Sequence, residues 1–209
     1  MFNRTKVESL CDHNSEIEYF YNSVFEVAKN TSPDALFLEI GTRAGGTALL
    51  ALNAILDSNI QRYLITVDPY GQKPYFAGEQ AMGGIYGEDY SRVAMYEIAK
   101  FCNDYNLNHS HFRLESNDFM NMFESVKFWC NGKINPVQFG YVYLDGEHTE
   151  EAMFTELSWF LPKMVKNGLI VIDDVSYNPT PKNELLKEIF GKSINKGNRA
   201  FYHVEDKRI

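Results

Sequence analysis

Six acidic residues in this chain stand at or just past short apolar runs: Glu39, Asp68, Glu115, Asp145 and the adjacent pair Asp173-Asp174. Carboxylates so placed can accept hydrogen bonds from hydroxyl or ammonium groups, ligate a hard cation, or take a proton. The segment Glu39-Ile40-Gly41-Thr42-Arg43-Ala44-Gly45-Gly46-Thr47 leaves one apolar run and enters an Ala- and Leu-rich stretch, as a nucleotide-binding turn does. A dinucleotide turn needs glycine at the middle place of G-x-G-x-x-G so that the backbone can approach a pyrophosphate, and Arg43 stands there. A P-loop needs Lys before Ser or Thr, and Gly46 precedes Thr47 directly. Asp68 lies 22 residues beyond Gly46, a spacing that suits a carboxylate accepting hydrogen bonds from ribose hydroxyls. The ligand implied is a nucleoside without a phosphate chain.

The elements that must position these residues follow from periodicity. Ile17, Phe20, Tyr21, Val24, Val27 and Ala28 recur at helical spacing and predict an amphipathic helix within an N-terminal helical segment, 1–31. Short apolar runs predict strands at 35–40, 62–67, 111–114, 139–144 and 169–172, with a weaker one at 200–204. Helices are expected at 47–56, 91–105, 118–130 and 184–190, and one carrying Met153, Leu157, Phe160 and Met164 should end at a cap formed by Asn167-Gly168. Residues 70–90, rich in Gly and Tyr, read as a lid or substrate loop. There Tyr70, Tyr75, Phe76, Tyr86 and Tyr90 could stack on a ring of the acceptor or pack the loop, and Tyr177-Asn178-Pro179 could border the same pocket. Strand and helix alternate at least four times. That order calls for an α/β fold, doubly wound, with a mostly parallel sheet covered by helices on both faces, and for one domain over 1–209. Ligands then bind at the carboxyl edge of the sheet, where the acids stand.

Composition narrows the partners. The 209 residues are 44% hydrophobic and 23% charged, with 28 acidic against 20 basic residues and a formal net charge of −8. A surface of that sign repels phosphate backbones, so nucleic acid is not the expected partner. No apolar run approaches the roughly 20 residues that span a bilayer. The first residues lack the apolar core of a signal peptide, and three widely spaced cysteines (Cys11, Cys102, Cys130) fit reduced thiols, so a cytoplasmic location is expected.

Four stretches carry a family resemblance: Phe37 to Thr47, Ile65-Thr66-Val67-Asp68-Pro69-Tyr70, Tyr143-Leu144-Asp145-Gly146-Glu147-His148-Thr149, and Lys166 to Asp174. They resemble class I S-adenosylmethionine-dependent methyltransferases, and more narrowly the macrocin O-methyltransferase-like group acting on small molecules. The resemblance implies the Rossmann-like methyltransferase fold. It also implies that Gly41, Thr42, Gly45, Gly46 and Thr47 line the methionine part of the cofactor. Glu39 would receive its ammonium, Asp68 its ribose hydroxyls, and Ser116 would lie on the adenine side with Asp145 nearby. In metal-dependent members the positions of Asp145, Asp173 and Asp174 hold a divalent cation. Three converging carboxylates would repel one another without one, and all-oxygen donors favour Mg²⁺.

The same resemblance makes His148, three residues past Asp145, the base that deprotonates a metal-bound acceptor hydroxyl, with Glu147 the second candidate. His13, His109, His111 and His203 show no comparable setting. The expected partner is a hydroxylated small molecule such as a sugar or polyketide, and a homo-oligomer is compatible. Other readings stay open: a metal-independent methyltransferase, a hydroxylase-like relative, or a nucleoside-binding module without catalysis. A hydroxylase would want two histidines and a carboxylate on one edge, and no paired histidines stand out at the carboxyl edge.

Overall fold

The computed structural model describes residues 3–11, 16–71, 76–77, 80–81, 87–130, 133–147, 149–175 and 194–204. Two helices open the chain, α1 (Arg4–Glu8) and α2 (Ile17–Asn30). They are followed by β1 (Leu36–Ile40), α3 (Gly46–Ser58), β2 (Tyr63–Val67) and a short pair, β3 (Phe76–Ala77) with β4 (Gln80–Ala81). Next come α4 (Glu88–Tyr105), β5 (Asn108–Phe112), α5 (Ser116–Phe123), and the hairpin of β6 (Lys127–Cys130) and β7 (Lys133–Pro136). The last described elements are β8 (Phe139–Leu144), α6 (Glu150–Phe160), β9 (Met164–Ile172), β10 (Ile194–Lys196) and β11 (Arg199–His203).

Seven strands form one sheet in the order β10-β11-β9-β8-β1-β2-β5. Neighbours from β9 to β5 are parallel, β11 runs antiparallel to β9, and β10 antiparallel to β11. The chain winds outward from β1 to β2 and β5, then returns to β8 on the other side. The strand order therefore reverses between β1 and β8, which opens a crevice at their carboxyl ends.

Alternation along the strands sends side chains to two cores. Phe37, Leu64, Tyr141, Tyr143, Leu169, Val171 and Phe201 meet the apolar faces of α2, α3 and α4. Leu36, Leu38, Ile40, Ile65, Val67, Val142, Leu144 and Ile170 meet α5 and α6. Strands covered on both faces are buried along their whole length and mostly apolar, as β1 and β8 are, with Glu39 the one charged residue in either. Arg62 is buried below β2 and donates to carbonyls at the end of α2, from Nε to Ala28 (3.1 Å) and from NH2 to Thr31 (2.9 Å). Those carbonyls have no partner within their own helix.

Several expectations are corrected. The helix over 118–130 stops at Phe123, and Val126 to Cys130 leads into a hairpin strand instead. A β-branched and aromatic run before Asn131-Gly132 is a hairpin pattern, and it outweighs the helical spacing. The helix expected to end at Asn167-Gly168 ends at Phe160, where Pro162 closes it in a 3-10 turn. Asn167 (φ +62°) then lies inside β9, which begins at Met164, five residues before the expected start at 169. The third sheet strand is Asn108–Phe112 rather than 111–114, because an edge strand tolerates the polar alternation Asn-His-Ser-His. Within 70–90 a two-residue strand pair forms, and α4 starts at Glu88. The expected helix over 184–190, with His13, Tyr75, Tyr86, Tyr177, Asn178, Pro179 and His148, lies outside the described residues. Among the described residues no helix is long and apolar enough to cross a membrane.

Candidate active site

The acids gather at the carboxyl edge, with one refinement. Glu39 lies within β1, as in the expected strand 35–40, opposite Thr66 and Tyr143, on the α3 side of the sheet, rather than past its end. Its side chain is fully buried, and neither carboxylate oxygen has a partner of sound geometry among the described residues. Burial pushes its carboxyl well above the ordinary range, with the Thr47 hydroxyl pulling the other way. The Thr42 hydroxyl, in the turn that follows β1, is also buried without a partner among the described residues. A buried carboxylate and hydroxyl left unpaired are costly unless a ligand completes them. An ammonium group would do so, and the amino-acid end of S-adenosylmethionine carries one.

The glycines serve several approaches. Gly41 (φ +84°) lies against the carbonyl of Asp145, which a side chain would overlap. Gly45 (φ +82°) caps α3 and meets Ala94 and Ile98 of α4 at 3.2–3.3 Å from an added Cβ. At Gly46 an added Cβ would fall 2.5 Å from Cys11 Sγ and 2.8 Å from the Leu10 backbone, so the N-terminal segment lies directly on this turn. Burial raises the Cys11 thiol to about 12, which leaves it protonated and inert.

Asp68 is held rigidly at the end of β2. Its Oδ2 accepts the Arg43 amide (2.9 Å) and its Oδ1 the Tyr70 amide (2.8 Å). Tyr70 (φ +47°) donates its hydroxyl back to the Arg43 carbonyl (2.8 Å), and Arg113 donates to the Tyr70 carbonyl (2.9 Å). The Asp68 turn is thus laced to the glycine turn, which fixes a carboxylate whose remaining lone pairs can accept ribose hydroxyls. Tyr70 is buried in this lattice, so of the two roles open to it, it takes that of packing the loop. Tyr90 lies under the Arg43 guanidinium, 5.7 Å from its ring centre.

Asp145 follows β8, and Asp173-Asp174 follow β9. Burial raises the Asp145 carboxyl well above its usual range, and the charges of Asp173 and Asp174 raise it further. The three carboxylates therefore share one neighbourhood. Yet among the described residues no three His, Cys, Asp or Glu are arranged as a metal-ligand group. Asp173 Oδ2 accepts the Tyr143 hydroxyl and Arg199 NH2 (3.2 Å), and its Oδ1 accepts the Asp174 amide (2.9 Å). Asn198 bonds to Asp174 Oδ1. The donors suit a hard cation in type, but in this arrangement they do not converge on one.

Arg199 is the residue that sequence reading missed. It reaches in from β11, almost fully buried, and pairs with Asp173 and with Glu16 at the head of α2. A lone Arg ahead of an apolar strand carries no such signal, because its partners lie 26 and 183 residues away. His109 Nε2 and His111 Nδ1 both bond to Thr66 Oγ1 at 2.9 Å, which pairs the two histidines on the edge strand. Burial lowers both to about 4, leaving them neutral. Glu147 is exposed and accepts the Thr149 hydroxyl (3.0 Å) at the head of α6. The Ser116 hydroxyl opens α5 and bonds to Glu156 of α6. A groove of about 460 Å³ beside Val126, Gln138 and Lys163 lies at the opposite end of the strands.

Similar proteins share this frame. The calicheamicin methyltransferase CalS11 superposes with a TM-score of 0.67 at 12% identity, covering 94% of this chain and 82% of that one. The O-methyltransferase NovP gives 0.59 at 18% identity, covering 92% and 81%. The methyltransferase MycE of the mycinamycin biosynthetic pathway, in complex with Mg and SAH, gives 0.52 at 14% identity, covering 92% of this chain and 54% of that one. No curated protein matches the chain in sequence. The family model described as a methyltransferase domain matches residues 38–175, from the buried run before Glu39 to just past Asp174. With its sheet order and carboxyl-edge cradle, the chain belongs to the methyltransferase-domain family, with the class I S-adenosylmethionine-dependent fold.

Proposed function

We propose that this protein transfers a methyl group from S-adenosylmethionine to a hydroxyl of a small molecule of natural-product type. The observation that carries the reading is Glu39: a fully buried carboxylate two residues before Gly41, neither of whose oxygens has a partner of sound geometry among the described residues. Bound S-adenosylmethionine would supply an electrophilic sulfonium methyl. Glu39 neutralises the ammonium, and Asp68, fixed by two backbone amides, takes the ribose hydroxyls. Both groups hold the donor before the acceptor arrives, so positioning supplies much of the rate. The acceptor hydroxyl enters beside Asp145, and its proton passes to His148 or Glu147. The acidic balance of the chain favours a small neutral or cationic acceptor over nucleic acid. CalS11, NovP and MycE, named for natural-product and O-methyl chemistry, support that acceptor class.

Asp145, Asp173 and Asp174 would hold a divalent cation, which would act as a Lewis acid on the acceptor oxygen. MycE in complex with Mg supports this finer reading. One observation favours a metal-independent variant: Arg199 already supplies positive charge to Asp173. The test is release of S-adenosylhomocysteine with a panel of hydroxylated acceptors, with Mg²⁺ or with chelator, in wild type and Asp174→Asn. Turnover lost in chelator and in the variant supports the cation. Turnover indifferent to both supports the metal-independent variant. Failure to bind S-adenosylmethionine by calorimetry overturns the whole reading.

A further inference from the structure

The N-terminal segment leans on the glycine turn from outside the sheet, and its backbone makes it a unit. The Val7 amide donates to the Asn3 carbonyl (3.2 Å) and the Ser9 amide to that of Thr5 (3.1 Å). The amides of Leu10 and Cys11 both donate to the Val7 carbonyl (3.0 and 3.1 Å), so the chain turns back around Val7. Residues 3–11 are thus one hydrogen-bonded body. Its far end covers the first residue of α3, where an added Cβ at Gly46 would meet Cys11 Sγ and the Leu10 carbonyl. Cys11 also feels the charges of Glu39, Asp145, Asp173 and Arg199, which places it near the charged groups of the carboxyl edge.

Little holds this body down. Of residues 3–11 only Val7 is fully buried, in the core it shares with α2, α3 and α4. The polar ties are Lys6 with Glu97 of α4 (2.5 Å), Arg4 with Glu18 of α2 (3.8 Å) and the Asn3 amide on Asn53 of α3 (3.3 Å). Ion pairs between exposed side chains hold weakly, because water already solvates both partners. The helix behind differs: α2 buries Phe20, Val24 and Val27, and Glu16 at its head pairs with Arg199. A segment with one buried anchor opens locally far more often than the domain unfolds. Glu39 gives that opening a consequence. Its carboxylate oxygens and the Thr42 hydroxyl are buried, so an ammonium reaches them only when something over the turn moves, and Leu10 and Cys11 lie on that turn.

We propose that residues 3–11 form a gate over the amino-acid end of the donor site, swinging off Gly46 to admit or release the donor and closing again behind it. The proposal rests on the S-adenosylmethionine reading. A gate that closes equally over the empty and the filled site slows entry and exit alike and leaves affinity unchanged.

The experiment trims the anchor with Val7→Ala in the full chain, which should raise the open fraction about fivefold to thirtyfold. Three rates read that opening. One is alkylation of Cys11 by iodoacetamide, followed on its own peptide by mass spectrometry. The others are association and dissociation of S-adenosylhomocysteine, followed by surface plasmon resonance. Burial raises the Cys11 thiol to about 12 in the closed state, so alkylation reports the open one. All three rates should rise by a common factor while Kd stays within about twofold of wild type. Met120→Ala, a core truncation on α5 at the other face of the sheet, should leave all three as they are. Circular dichroism shows that both variants are folded. Unchanged alkylation in Val7→Ala, faster alkylation with unchanged binding rates, a rise in dissociation alone, or the same rises in Met120→Ala overturns the gate. If wild type binds no S-adenosylhomocysteine, the methyltransferase reading falls and the gate with it, a result distinct from the others.

Discussion

Removing the guanidinium of Arg199 should destabilise the protein more than any other single change at the carboxyl edge. Arg199 pairs with Glu16 and with Asp173 and donates through Nε to the Tyr143 hydroxyl (3.3 Å), while its guanidinium lies over the rings of Phe20 and Tyr143 at 5.4 and 5.8 Å. Arg199→Met keeps much of the packing volume but leaves Glu16 and Asp173, each 4% exposed, as buried carboxylates without their cation. Breaking a buried ion pair from one side costs about 3–5 kcal/mol, mostly as the desolvation of the abandoned charge. For a chain of this length each kcal/mol lowers Tm by about 2–4 °C, so the expected drop is roughly 6–20 °C. Glu16→Gln leaves Arg199 with Asp173 and should cost less. Urea denaturation of the two single variants and the double variant then gives the coupling energy, expected at about 1–3 kcal/mol because the two residues touch. A Tm for Arg199→Met within 2 °C of wild type, or strictly additive effects in the cycle, refutes the view that this network fastens the head of α2 to the site.

Glu39→Gln should leave the apo protein as stable as wild type or more so, since it replaces a buried unpaired carboxyl, and should weaken S-adenosylmethionine binding by about tenfold to a hundredfold in calorimetry. An unchanged affinity would remove the ammonium role. Because burial raises Glu156 from 4.5 to about 7, the folded protein keeps a proton there that the unfolded chain releases. Wild-type stability should therefore fall relative to Glu156→Gln as pH climbs from 4.5 through 7, by roughly 3 kcal/mol from this group. A gap between the two that is flat across that window, in urea denaturation at each pH, contradicts the burial argument. Gly41→Ala should lose about 3 kcal/mol or more, because φ +84° is strained for alanine and its Cβ would overlap the Asp145 carbonyl. A melting curve that matches wild type would show that the turn can move away from β8.

Much of the frame was legible in the chain. The apolar runs of β1 and β8 and the faces of α2 and α3 read directly, because burial on both sides of a parallel sheet imposes continuous hydrophobicity, and a one-sided helix imposes a 3.6-residue period. The acids past β2, β8 and β9 read from local order alone, since a strand's end and its next turn are neighbours in sequence. Where local patterns competed, reading along the chain failed. Val126 to Cys130 suits helix and strand alike, and the hairpin partner after Asn131-Gly132 decides it. Asn167-Gly168 looks like a helix cap until Pro162 ends the helix earlier.

What only tertiary structure decided are the long-range pairings. Sequence placed Glu39, Asp68, Asp145, Asp173 and Asp174 on one edge, but not which of them is already satisfied. Arg199 reaches Glu16, 183 residues away, and Asp173, 26 away, and turns an expected cluster of bare carboxylates into a partly neutralised one. Glu39 and Glu156 remain buried and short of a partner among the described residues, on opposite faces of the sheet. Whether a carboxylate is paired depends on which strand folds next to it, and adjacency in a sheet of order β10-β11-β9-β8-β1-β2-β5 is not adjacency in the chain.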